Sequence, residues 1–235
     1  MLIRRSLIAS CLALACLLGV SAAMGQADAA GASAPGTRLV FASSGKLWAV
    51  GPQGQGLHAF ARIPRSTNDI SASENGRRIT VITHKALQSP RQGSVRKIYL
   101  WRKGRGLKLL LRIHTIADSS VAISADGSEI AYGKDNDIWL MKADGTDRHR
   151  VTIGLRRAFD PAFAPSGKNL YFVRTSANAG DNRIYRTPLK QPFHSEVGLT
   201  PASTAAIDPV VSSRGLVAFV QLGEGGSGGT PDRIR

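Results

Sequence analysis

The sequence predicts an all-β fold: a β-propeller of four-stranded antiparallel blades, about four to five of them, whose partial end units either close the ring by lending N-terminal strands to the last blade or leave it incomplete. Three observations predict it. Short β-type runs, punctuated by Gly, Asn and Asp, follow one another from Arg38 onward without a convincing amphipathic helical stretch between them. The chain aligns with itself at roughly 40 to 50 residues, the period of propeller blades. An aliphatic-aromatic pair recurs at matching places: Leu47-Trp48, Ile98-Tyr99, Ile138-Trp139 and Ile184-Tyr185.

Residues 1–29 read as an export signal. Arg4 and Arg5 precede an apolar run from Leu7 to Val20, and Ser21-Ala22-Ala23 or Ala27-Asp28-Ala29 offers a cleavage site. The run is short for a membrane span. Both cysteines, Cys11 and Cys16, lie inside this segment, so the predicted mature chain has no disulfide and no cysteine metal site. Ala13 stands where a lipoprotein box carries a large aliphatic residue, which argues against lipidation at Cys16. A small-residue linker, 30–36, leads into the repeats at 37–222, and a Gly-rich segment, 223–235, follows them.

The clearest unit runs Ser120-Val121-Ala122-Ile123, Glu129-Ile130-Ala131-Tyr132, Asp137-Ile138-Trp139-Leu140-Met141 and His149-Arg150-Val151-Thr152. The next begins Phe159-Asp160-Pro161-Ala162-Phe163 and ends at Thr200; an earlier one opens at Asn68-Asp69 and has Leu107 to Ile113 as its outer strand. Partial units stand at Arg38 to Val50 and at Ile207 to Val220, and Asp232-Arg233-Ile234-Arg235 resembles the opening of a third strand. Each unit reads as a small apolar first strand, a Gly-centred turn and a strongly hydrophobic second strand. The third strand carries the aromatic pair, placed in the core between blades. The turns Asn75-Gly76, Asp126-Gly127 and Ser166-Gly167 supply the positive φ of a tight hairpin. Such units are stable only when stacked or closed. The open edges of an incomplete ring would invite a homodimer.

The pattern x-Asp-Pro-x-Phe-x-Pro-x-Gly at 159–167 and Asp-Ile-Trp-x-Met-x-x-Asp-Gly at 137–145 resembles the WD-type repeat of the TolB family. The resemblance covers Arg38 to Val220. It implies a periplasmic or secreted propeller, commonly six-bladed, that acts as a protein-binding scaffold, in TolB proteins with a lipoprotein partner in envelope integrity. The repeats here begin almost directly after the leader, where TolB proteins carry an α/β domain.

The formal charge is +15, or +14 once Arg4, Arg5 and Asp28 are removed with the leader. That favours acidic partners, including anionic envelope polymers. The basic residues read as spread along the chain, and Arg outnumbers Lys 22 to 9. Nucleic acid is disfavoured because the aromatics that would stack on bases are assigned to the core.

Motifs for catalysis are weak. Gly225-Gly226-Ser227-Gly228-Gly229 fits the nucleophile-elbow pattern but lacks the strand and helix that strain such a serine. The histidines His58, His84, His114, His149 and His194 never show ligand spacing and read as loop or strand-edge residues. Asp135-Asn136-Asp137 and Asp144-Gly145-Thr146-Asp147 read as turns flanking one strand, not as calcium loops. No cofactor, metal or catalytic residue is expected.

One constellation stands out. Asp69, Asp160 and Asp208, with Ser120 in the fourth copy, occupy one place seven residues before the repeat glycine. They would ring one mouth of a propeller channel and hold a cation or a basic peptide, or else order their own loops through backbone hydrogen bonds. Arg156 and Arg157 precede a first strand and join them as candidate mouth residues, whereas Arg77-Arg78 follow one and belong to the opposite mouth. The function these features predict is non-catalytic binding of a protein or anionic envelope ligand. The rival is the propeller portion of a secreted serine hydrolase.

Overall fold

The computed structural model describes residues 38–86, 93–115, 120–154, 156–175, 182–193, 195–201, 205–222 and 233–234. The export signal, the linker, His194 and the Gly225–Gly229 motif lie outside them. The described residues form strands and turns with no helix, in five antiparallel sheets. The chain divides into two compact units, 1–68 and 69–235.

The first unit holds β1 (Leu39–Ser43), β2 (Lys46–Val50) and β3 (His58–Arg62), in the order β1-β2-β3. The turn at Ser44-Gly45 has φ of 51° and 75°, the left-handed pair that suits a two-residue hairpin. Leu47, Ala49 and Val50 are buried. Trp48 pairs in register with Phe41 and stacks on it at 6.4 Å.

The remaining four sheets are built alike. β4 (Thr67–Ala72) crosses the boundary between the units and begins the sheet that continues with β5 (Arg78–Ala86), β6 (Ser94–Arg102) and β7 (Gly106–Thr115). β8 (Val121–Ile123), β9 (Glu129–Lys134), β10 (Asp137–Lys142) and β11 (His149–Arg150) form the next. β12 (Ala158–Phe163), β13 (Asn169–Thr175), β14 (Asn182–Pro188) and β15 (Val197–Gly198) form the third. The last holds β16 (Ala206–Val211), β17 (Val217–Gln221) and β18 (Arg233–Ile234). β18 pairs with β17 through Val220↔Ile234, so the chain end does supply a third strand.

One turn chemistry recurs between the first and second strands. Gly76, Gly127, Gly167 and Gly215 have φ between 63° and 81°. Each donates its N–H to the carbonyl three residues back, of Ser73, Ser124, Ala164 and Ser212. Three of these turns add a serine hydroxyl that accepts a backbone N–H, from Arg78, Glu129 and Leu216. The sheets thus start from the same local instruction.

Strand alternation then places the core. In β9, Ile130 and Tyr132 face the β4–β7 sheet with Ile82, Ile98 and Leu100, while Ala131 faces the β12–β15 sheet with Leu170 and Phe172. In β13, Leu170 and Phe172 face back toward β8–β11, and Val173 faces β16 and β17 beside Ala206 and Ile207. The second strands β9 and β13 are therefore covered on both faces, which is why they are so hydrophobic. Each such side chain contributes about 1.5–3 kcal/mol by leaving water.

The aromatic pair meets the expectation of an inter-sheet location, but its two members serve different cores. Leu47, Ile98, Ile138 and Ile184 are fully buried. Their neighbours Trp48, Tyr99, Trp139 and Tyr185 are half-buried. Adjacent strand residues point to opposite faces. Ile138 therefore packs toward the β12–β15 sheet, while Trp139 packs against the core shared with β4–β7. Ile184 packs toward β16, while Tyr185 packs against the core shared with β8–β11. Several of these rings also carry a cation: Lys46 over Trp48 at 5.9 Å, Lys134 over Trp139 at 4.6 Å, and Arg183 over Tyr185 at 5.5 Å.

A threonine after the outermost strand pins the start of the third. Thr152 Oγ1 accepts the Ile138 N–H at 2.9 Å and donates to the buried Asp137 carboxylate at 3.0 Å. Thr200 Oγ1 accepts the Ile184 N–H at 3.1 Å in the next sheet. Asp135 and Asn136, both at left-handed φ, make the β9–β10 turn, and Asp144 Oδ1 accepts from Thr146, so both acidic motifs are turns. His58, His114 and His149 lie on the outermost strands β3, β7 and β11, while His84 lies on β5.

Candidate functional site

The four repeat positions stand at the same end of the first strands β4, β8, β12 and β16, and the structure links them in order. Asp69 Oδ2 accepts the Val121 N–H of the next first strand at 3.1 Å, while its Oδ1 accepts the Ile70 N–H at 2.7 Å. Ser71 repeats the device, its hydroxyl accepting the Ile123 N–H at 3.1 Å. Ser120 Oγ accepts the Asp160 N–H at 2.8 Å. Asp160 in turn meets the Asp208 carboxyl, which hydrogen-bonds to it. Asp69 and Ser120 thus bond to the sheet that follows each, and Asp160 faces Asp208 of the last sheet. That differs from a residue that orders only its own loop.

Backbone geometry aims the last two. Asp160 and Asp208 have φ of 49° and 51°, and each sits at an extra residue in its strand. The register shifts between Phe159 and Ala162 in β12, and between Ile207 and Val210 in β16. Asp-Pro suits a bulge because proline has no N–H to contribute to the ladder. The bulge turns the aspartate out of the strand alternation and toward its counterpart.

Burial and crowding govern the electrostatics. Burial pushes the Asp69 carboxyl up to about 6, offset in part by the N–H groups of Val121 and Ile70 and reinforced by Asp208. Asp160 is pushed up to about 7, first by burial, then by the charge and hydrogen bond of Asp208. The Ser120 hydrogen bond opposes that rise and Asp69 adds to it. Asp160 Oδ2 is sealed from solvent without a donor, while Asp208 is exposed. Both carboxyls therefore hold their protons to higher pH than a free aspartate, Asp160 further than Asp69, and Asp208 is the member open to a ligand.

Arg156 and Arg157 enter β12 at the same end, a few residues before Asp160. Arg156 is exposed, and its carbonyl accepts from Arg174 Nη1 at 3.0 Å. The Arg157 guanidinium lies over the Phe159 ring at 4.7 Å. The four repeat positions are thus brought together, while Arg156 lies four residues before Asp160 with an exposed side chain. No group of three or more His, Cys, Asp or Glu side chains among the described residues is arranged to hold a metal ion. Residues the sequence reading missed include Ser71, which makes the same cross-sheet bond as Asp69. Its two-residue spacing from Asp69 was the available signal.

No protein-family model matches the chain, and no curated protein matches it. Solved structures do. A TolB-type protein of Agrobacterium tumefaciens superposes with a TM-score of 0.64 at 22% identity, over 84% of this chain and 71% of that one. TolB of Acinetobacter baumannii superposes at 0.59 with 17% identity, over 80% of this chain and 45% of that one. The chain thus spans less than half the length of the Acinetobacter protein. An ancestral GH74 enzyme reaches 0.54 at 12% identity, over 80% of this chain and 28% of that one.

Proposed function

The fold is a TolB-like β-propeller fold, and from that premise we propose that the chain is a non-catalytic, exported scaffold that binds a protein or anionic cell-envelope ligand through its loops. The observation that carries this reading is the hydrogen-bonded line Asp69–Val121, Ser120–Asp160, Asp160–Asp208. It ties four successive sheets together at one end and leaves Asp208 and Arg156 open beside it. A ligand meeting charges held on a rigid frame loses less entropy on binding than one that must order them. The likeness to TolB structures supports a binding role, and the apolar leader supports export.

The test is photo-crosslinking from positions 208 and 156 in the exported protein, with position 168, at the turn end of the sheets, as the control. Adducts specific to 208 and 156 that persist at physiological ionic strength are expected. Adducts only from 168, or adducts lost entirely as salt rises through that range, would refute the reading. Fluorophosphonate labelling of the native exported product checks the enzyme class. No labelling is expected, and a labelled serine would place the chain with the hydrolases.

A further inference from the structure

The sequence reading spread the basic residues along the chain, but the sheets gather them. The described residues among 69–115, which carry β4–β7 from Asp69 onward, hold ten Lys and Arg against Asp69 and Glu74. The described residues among 120–153, which build β8–β11, hold six Asp and Glu against four Lys and Arg. A strongly positive sheet thus lies beside a negative one.

Two turns bring the free cations together. Lys103 N–H donates to the Arg77 carbonyl at 2.9 Å, joining the β6–β7 turn to the β4–β5 turn. Arg78 and Arg102 pair in register behind them. Their guanidiniums are spent on the next sheet, Arg78 donating to the Gly127 carbonyl at 2.6 Å and Arg102 to the Ala143 carbonyl at 3.2 Å. Arg77, Lys103, Arg105 and Lys108 remain exposed, with no acidic partner among the described residues. A Cβ placed on Gly76, Gly104 or Gly106 would meet nothing within 4 Å, so these turns project into solvent.

We propose that this turn end of the β4–β7 sheet is a docking ridge for a linear, phosphate-bearing polyanion, held by Arg77, Lys103, Arg105 and Lys108. Arginine forks and lysine ammonium groups suit phosphate oxygens, and a row of them suits a repeated charge. The ridge is narrow, about 15 Å across four strands. Beside it the β8–β11 sheet presents exposed Asp126 and Asp144 at its own turns. A broad anionic surface such as a membrane would meet those carboxylates, whereas a single polymer strand can follow the cations alone. The described ridge residues include no exposed aromatic ring, so base stacking has no part in it. The ridge is independent of the carboxylate mouth: it lies past the far end of β4 from Asp69, about 15 Å along the strand direction.

The test measures binding of long-chain inorganic polyphosphate to the mature protein by fluorescence anisotropy across a salt series. Wild type is compared with a ridge variant, R77Q/K103Q/R105Q, and with K168Q/K190Q/R214Q, which removes the same charge from exposed sites elsewhere. Four phosphate contacts predict a slope of log K against log salt near about −3. The ridge variant is expected to weaken binding at least about tenfold at about 50 mM salt and to flatten the slope by about 2, with the control within about threefold of wild type. Equal weakening in both variants would assign binding to net charge and overturn the proposal. So would no wild-type binding at low salt, or tighter ridge-dependent binding of anionic phospholipid vesicles. Circular dichroism checks that each variant folds, and K103Q alone, with an expected slope change of about 0.7, serves if the triple does not.

Discussion

Asp160→Asn removes a carboxylate that the fold holds at a cost above neutral pH. In the folded chain burial, with Asp208 opposite, raises this group from 3.8 to about 7. Between those values the folded state keeps a proton that the unfolded state has released, so stability falls as pH rises through the interval. Below pH 3.8 the cost is absent, and above about 7 it is complete. One pKa unit corresponds to about 1.4 kcal/mol, which sets a ceiling of about 4 kcal/mol for the full interval. Relaxation and water entry lower such penalties, so about 2 kcal/mol is the working value. Asn tolerates the left-handed φ of 49°, retains an acceptor and adds a donor toward Asp208. The assay is urea unfolding of wild type and Asp160→Asn at pH 4, 6 and 8, read as the difference between the two proteins so that other titrations cancel. The variant should match wild type within about 0.5 kcal/mol at pH 4 and exceed it by about 2 kcal/mol at pH 8. Parallel stability profiles across that range would refute the account of a buried Asp160 carboxyl crowded by Asp208.

Three further perturbations test other parts of the frame. Thr152→Val removes both the acceptor of the Ile138 N–H and a donor to buried Asp137; a loss of about 2 to 3 kcal/mol in urea unfolding is expected, and a loss under 0.5 kcal/mol would contradict the pinning role. Glu196→Ala leaves the buried Arg174 guanidinium without its carboxylate, at a cost of about 3 kcal/mol, while Glu196→Gln should recover part of it in the same measurement. Gly127→Ala would place a Cβ 2.8 Å from Arg78 Cδ at φ 75°, whereas the same change at Gly167, φ 67°, meets nothing within 4 Å. Thermal melts should rank Gly127→Ala as the more damaging, both costing at least about 1 kcal/mol from backbone strain.

Much of the frame is legible along the chain because its causes are local. The Ser-x-x-Gly and Ala-x-x-Gly turns carry their own hydrogen bonds and their own positive φ, so four sheets announce their first hairpins in sequence. Second strands announce themselves through continuous apolar runs, since two faces must be covered. The third-strand pair was legible as a repeat and as core, but not which core each member serves. Period-two alternation sends Ile138 toward the β12–β15 sheet and Trp139 to the other face, against the core shared with β4–β7 and beneath the Lys134 ammonium.

The site divides in the same way. Sequence spacing alone aligned Asp69, Ser120, Asp160 and Asp208 and assigned them to one end of the first strands. Only the tertiary structure decided what they do there: Asp69 and Ser120 take N–H groups from the following sheet, Asp160 is sealed against Asp208, and Asp208 stays open. The charge of the β4–β7 sheet could be counted along the chain, but the meeting of Arg77 with Lys103 depends on the register between β5 and β6. Turn chemistry and strand periodicity act over a few residues and survive in a linear reading. Burial, carboxyl crowding and the pairing of turns 26 residues apart depend on which strands come to lie side by side, and that is settled only when the sheets assemble.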